Sequence, residues 1–99
     1  VSELPLLRVI RVREETIVVI CDAELLGKKF RKGKIKLEIK ESFYRGREAS
    51  MEECIEAIKE ATIANLIGSI VDRAIEEKLV DPKCVLKFGK VKHAQIVKV

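Results

Sequence analysis

A chain of 99 residues has the length of one domain, 1–99, with room for a single core. Hydrophobic residues make up 47% and aromatic ones 4%, with no Trp, so the core is expected to be aliphatic, built from Ile, Val and Leu. Charged residues reach 36% and sum to +4, and no apolar run approaches the ~20 residues that a membrane-spanning helix needs, which excludes that class.

Amide side chains are nearly missing: Asn65 and Gln95 are the only two. Many charges with few thermolabile amides is the composition of proteins from hot environments. The opening Val1-Ser2-Glu3-Leu4-Pro5 has neither the basic stretch nor the apolar run of a leader sequence, so a cytoplasmic location with no membrane partner is expected. Cys21, Cys54 and Cys84 stand about thirty residues apart, without a C-x-x-C or a Cys–His pair at ligand spacing. No zinc site, disulfide framework, metal or cofactor is expected, and all three thiols are placed in the core among apolar neighbours.

In chain order, Leu6–Val12 is rich in β-branched residues and predicts a strand. Arg13-Glu14-Glu15 is short enough for a hairpin turn. Thr16–Cys21 is apolar on both faces, as a central strand is. Asp22–Leu26 predicts one helical turn with Asp22 as its N-cap, and Gly27 and Gly33 bracket a polar, basic loop. Ile35, Leu37 and Ile39 alternate with Lys36, Glu38 and Lys40, the period of a half-buried strand. Ser42–Glu48 predicts a loop.

Ser50-Met51-Glu52-Glu53 is a capping box that opens a helix carrying Cys54, Ile55, Ile58 and Ala61 on one face. Ile63, Leu66, Ile67, Ile70, Val71, Ala74, Ile75 and Leu79 repeat at three and four residues and predict a second helix. The two stripes are out of phase near Thr62, which predicts a break there with Thr62 as a second N-cap, and Asp81-Pro82 as the stop. Ala57, Ala61, Ala64 and Gly68 would then form a line of small residues. Asn65 would tie the kink. Val85–Phe88 and Ala94–Val99 predict strands joined through a tight Gly89-Lys90 turn. Strands, then helices, then strands define an α+β fold: a mainly antiparallel sheet of about five strands with two consecutive helices on one face.

The charge is partitioned along the chain. Residues 1–27 carry three basic and five acidic groups, residues 28–47 nine and two, residues 48–81 three and nine, and residues 82–99 five and none. The second segment is therefore net +7 and the helical third net −6. Such a concentrated positive field attracts polyphosphate, because binding releases condensed counterions. Lys28, Lys29, Arg31, Lys32, Lys34 and Lys36 would contact phosphates, with Arg45 and Arg47 beside them. Tyr44 is the ring best placed to stack on an unpaired base, while Phe30, Phe43 and Phe88 are expected to anchor the core. The competing view is a solvated face, since strand lysines also blunt sheet edges.

Candidate chemistry is sparse. His93 is the sole histidine, and Asp22 and Glu24 follow the central strand, where loops often carry site residues. No nucleophile elbow, P-loop or dinucleotide fingerprint accompanies them. Cys21-Asp22-Ala23-Glu24-Leu25-Leu26-Gly27-Lys28, Phe43-Tyr44, Glu60-Ala61-Thr62-Ile63-Ala64-Asn65-Leu66-Ile67-Gly68 and His93-Ala94-Gln95 resemble stretches of a small archaeal family catalogued only as a domain of unknown function. The resemblance implies an archaeal, cytoplasmic protein and supplies no activity; a link to translation is an association only. Where that family often has Pro before the His, this chain has Lys92, which loosens the turn.

Three functions follow as expectations. The first is a non-catalytic RNA-binding or ribosome-associated protein using the basic segment. The second is an adaptor, or a homodimer, that docks a protein partner through its acidic helices. The third is a small enzyme with a site at Asp22, Glu24 and His93.

Overall fold

The computed structural model describes residues 4–98. Residues 1–3, on which part of the leader-sequence expectation rests, and Val99, the end of the expected last strand, lie outside the described residues.

Eight strands and three helices follow in the order β1 (Pro5–Val12), β2 (Glu15–Asp22), β3 (Lys29–Lys32), β4 (Ile35–Glu38), α1 (Glu41–Tyr44), β5 (Arg47–Glu48), α2 (Met51–Glu60), β6 (Ile63–Ile67), α3 (Ser69–Glu76), β7 (Leu86–Phe88) and β8 (Val91–Val97). Single 3-10 turns occupy Ala23–Leu25 and Pro82–Cys84. The main sheet has six strands in the order β5-β1-β2-β6-β8-β7, and β3 and β4 form a separate two-stranded sheet. The β2–β6 pair is parallel and the others antiparallel, so the α+β class stands with a mixed, mostly antiparallel sheet.

The two faces of the sheet are covered differently. Leu7, Val18, Ile20, Ala64, Leu66 and Ala94 pack against Cys54, Ile55 and Ile58 of α2 and Ile70, Val71 and Ala74 of α3. On the far face Leu6, Val19, Cys21 and Ile67 pack beneath Leu25, Ile39 and Tyr44, with Phe30 and Leu37 of the β3–β4 hairpin against them. Each large aliphatic side chain so buried contributes roughly 1.5–3 kcal/mol.

The helix boundaries have local causes. At the start of α2 the Ser50 hydroxyl accepts from Glu53 N at 3.1 Å and the Glu53 carboxylate accepts from Ser50 N at 3.2 Å, the predicted capping box. The end of α3 departs from expectation. Lys78 adopts φ 62, and Leu79 N reaches Ala74 O at 2.9 Å while Lys78 N reaches Ile75 O at 3.0 Å. This is a Schellman closure, and it ends the helix before Asp81-Pro82. The Asp81 carboxylate instead accepts from Lys83 N and caps the 3-10 turn.

Residues 63–67 correct the predicted second helix: they are a strand between β2 and β8. A short run covered on both faces is apolar on both faces, and five such residues mimic half of a helical stripe. The phase break marked a true boundary, since α2 ends at Glu60. Thr62 is no helix cap. Its Oγ1 accepts from Thr16 N at 2.9 Å and donates to Thr16 O at 3.1 Å, which locks the start of β6 to β2. The small-residue line is likewise broken, with Ala64 in the strand and Gly68 past its end. Asn65 sits mid-strand between Val19 and Gln95 rather than at a kink. Cys21 and Cys54 are buried as expected, but Cys84 is exposed, on a 3-10 turn none of whose residues is buried.

Candidate nucleic-acid interface

The β3–β4 hairpin carries the densest basic run. Its strands pair from Lys29↔Glu38 to Lys32↔Ile35, leaving Gly33-Lys34 as a two-residue turn. Gly33 has φ 59, a conformation that the first residue of such a turn requires and that glycine adopts without strain. Gly89-Lys90 repeats the device between Phe88 and Val91, as the sequence predicts. The two arms of the hairpin are joined at its base, where Gly27 N donates to Ile39 O at 2.7 Å and Ile39 N to Lys28 O at 2.9 Å. Its inner face is the Phe30–Leu37 pair, which packs on the far-side core.

Alternation then places Lys29, Arg31 and Lys36 on the outer face. Lys28, Lys29, Arg31, Lys32, Lys34 and Lys36 are all exposed, and among the described residues none has a carboxylate within ion-pair distance. Arg31 lies directly opposite Lys36. Like charges across a strand pair repel and destabilise the pair. A cleft of about 410 Å3 runs along the same hairpin, lined by Lys29, Phe30, Arg31, Lys36, Leu37 and Glu38.

The C-terminal hairpin adjoins this surface. The Phe30 and Phe88 rings meet at 6.3 Å between centroids, which sets β3 beside β7; Lys87, next along the strand from Phe88, turns to the opposite face. Lys92, across from Lys87, is turned to the helix face and pairs with Asp72 at 2.5 Å. Phe30 and Phe88 thus fill the role of core anchors.

Arg45 and Arg47 do not join this surface. They lie around β5, at the opposite edge of the sheet from β7. Arg45 pairs with Glu41, and Arg47 with Glu53 at 3.1 Å. The two adjacent rings are reversed from expectation. Tyr44 is 6% exposed and Phe43 38%, with the rings edge-to-face at 5.1 Å. On one turn of helix only one of two neighbours can face the core, and nothing in the residue types selects which. Burial also holds the Tyr44 phenol above its ordinary pKa.

Asp22, Glu24 and His93 do not form one site. The Asp22 carboxylate points to the helix side and accepts from Ser69 N at 2.9 Å and from Ser69 Oγ at 2.6 Å. It caps α3 across 47 positions of sequence, not the 3-10 turn that follows it, to which it makes no side-chain bond. Glu24 lines a cleft of about 320 Å3 with Asp22, Asp72, Lys90 and Lys92. His93 lies opposite Ile67 and Leu86 on the far face of the sheet. It is half-buried, and that desolvation lowers its pKa. Acid–base pairing of His93 with Asp22 would have to cross the sheet. Among the described residues no group of three potential metal ligands gathers, and no helix is long and apolar enough to cross a membrane.

The molecule is thus a small α+β domain bearing an unneutralised basic hairpin on one face of a mixed sheet. The chain belongs to the DUF424 family, described as a protein of unknown function, whose pattern matches residues 10–99. Its fold is similar to that of an uncharacterized conserved protein from Methanopyrus kandleri known from a crystal structure. The TM-score is 0.74 at 22% identity, over 93% of this chain and 89% of that one. A search among curated proteins finds no match.

Proposed function

We propose that this protein binds RNA, free or within the ribosome, through the basic β3–β4 hairpin. The carrying observation is the Arg31–Lys36 pair: two cations held opposite each other on an exposed ladder, with no carboxylate within ion-pair distance among the described residues. That arrangement costs stability in the free protein and is relieved by phosphate. Arg45, Arg47 and Arg73, by contrast, are each matched to glutamates. Phe43 lies on α1, and the hairpin's own ring, Phe30, is turned inward. Backbone phosphate therefore dominates the contact, and little sequence preference is expected.

The test is fluorescence anisotropy of a labelled single-stranded RNA titrated across a range of salt concentrations. Reversal of Lys29, Arg31 and Lys32 to Glu should weaken binding alike for every sequence. It should also reduce the slope of log affinity against log salt by roughly 0.7 for each phosphate no longer neutralised. Unchanged affinity would overturn the proposal. Purification from native cells at low and high salt, following RNA and ribosomal subunits, separates free RNA from the ribosome as the target.

A further inference from the structure

The main sheet is incompletely closed at its β5 edge. β1 runs from Pro5 to Val12, but β5 pairs with it only at Leu6 and Leu7. The chain then leaves the edge at Gly46. Gly46 itself passes close against β1, where a Cβ would stand 2.3 Å from Leu7 O. Pro5 O accepts from Ala49 N on this outer side, and alternation therefore turns the N–H and C=O of Leu7, Val9 and Arg11 outward as well. Leu7 meets β5. Val9 and Arg11 have no backbone partner among the described residues. Two donors and two acceptors stand in line with β5, at the register of a further strand.

Beside that open edge lies a groove of about 430 Å3 between β1 and α2. Val9, Val18 and Ala57 form its apolar floor, and Glu52, Glu53, Glu56 and Glu60 of α2 line its wall against two cations, Arg11 and Arg47, the latter paired with Glu53. Val9 is 39% exposed there. A strand laid against Val9–Arg11 would direct every second side chain into this groove, where an aliphatic stem meets the valines and a cationic head meets the glutamates. A second copy of this chain fits poorly, because antiparallel pairing of β1 with β1 would set two acidic α2 helices side by side.

We propose that the outer edge of β1 is a docking site for an extended peptide with lysine or arginine at alternate positions, bound as an added antiparallel strand. This surface is separate from the basic hairpin and takes a partner of opposite charge, so the protein would hold nucleic acid on one side and a basic protein segment on the other.

The experiment uses the full chain and a labelled octapeptide alternating Lys with Val, with a Glu-for-Lys peptide as control. The Lys peptide should bind and the control should not. The amide protons of Val9 and Arg11 should exchange rapidly in the free protein and be protected in the complex. Val9→Pro removes an outward donor that the sheet does not use and should abolish binding. Should Val9→Pro unfold the protein, the double reversal Glu56→Lys with Glu60→Lys decides; it should weaken binding roughly tenfold, as expected for the removal of two exposed ion pairs. Equal binding of both peptides, protection at other strands, an unaffected double reversal, or protection of Val9 and Arg11 by self-association without peptide would each overturn the proposal.

Discussion

Substitution of Gly68 by Ala tests whether strand β2 holds helix α3 through a single carboxylate. Gly68 stands at φ 95 and ψ −143, a region open to glycine and closed to other residues, at a cost of about 1–3 kcal/mol. A Cβ there would lie 2.4 Å from Asp22 Oδ2 and 2.8 Å from its Cγ. The carboxylate could retreat only by giving up Ser69 N and Ser69 Oγ, and loss of such a cap costs about 0.5–2 kcal/mol. The two terms together give roughly 2–4 kcal/mol, or a fall in Tm of roughly 10–25 °C for a domain this size. Asp22→Ala alone loses only the cap, about 1 kcal/mol. In the double variant the methyl meets no carboxylate, so its cost should fall short of the sum of the singles by about 1 kcal/mol. Urea unfolding of the four proteins measures this cycle. A Gly68→Ala cost below about 1 kcal/mol, or strict additivity, would refute the reasoning.

Two further predictions follow from burial. Cys21 and Cys54 are buried, with their thiols pushed up to about 11, chiefly by desolvation, whereas Cys84 is exposed. A thiol reagent should therefore modify one cysteine rapidly in the native protein and three after denaturation, and rapid native labelling of two would contradict the packing. Desolvation lowers the His93 pKa from 6.5, so the unfolded chain takes up the proton first as pH falls. The contribution is fully present above about 6.5 and is lost on acidification towards the folded value; His93→Gln should flatten that part of the stability–pH curve. Since His93 is the only histidine, its ring protons can be titrated without ambiguity, and a folded pKa at or above 6.5 would refute the burial.

Much of the frame was legible in the residues alone. The capping box at Ser50 and Glu53, the two-residue turn at Gly89-Lys90 and the central strand through Cys21 are set by residues within a few positions of one another. Short-range hydrogen bonds and steric limits need no distant partner, so local sequence states them. The basic character of residues 28–36 belongs to the same class, because exposed charge in a two-stranded hairpin depends on little else.

Other features depended on what the chain folds against. Ile63–Ile67 is a strand because β2 and β8 flank it, and its five residues alone fit either period. Tyr44 is buried and Phe43 exposed through the placing of α1 over β1 and β2. Arg45 and Arg47 are near the basic run in sequence, yet the chain carries them to the opposite sheet edge and into ion pairs. Asp22 and His93 emerge on opposite faces of the sheet, and Asp22 instead meets a helix 47 positions on. The open edge of β1 exists only because β5 stops after two residues. Backbone partners, burial and charge pairing are settled between segments far apart in the chain, and tertiary structure is where those segments meet.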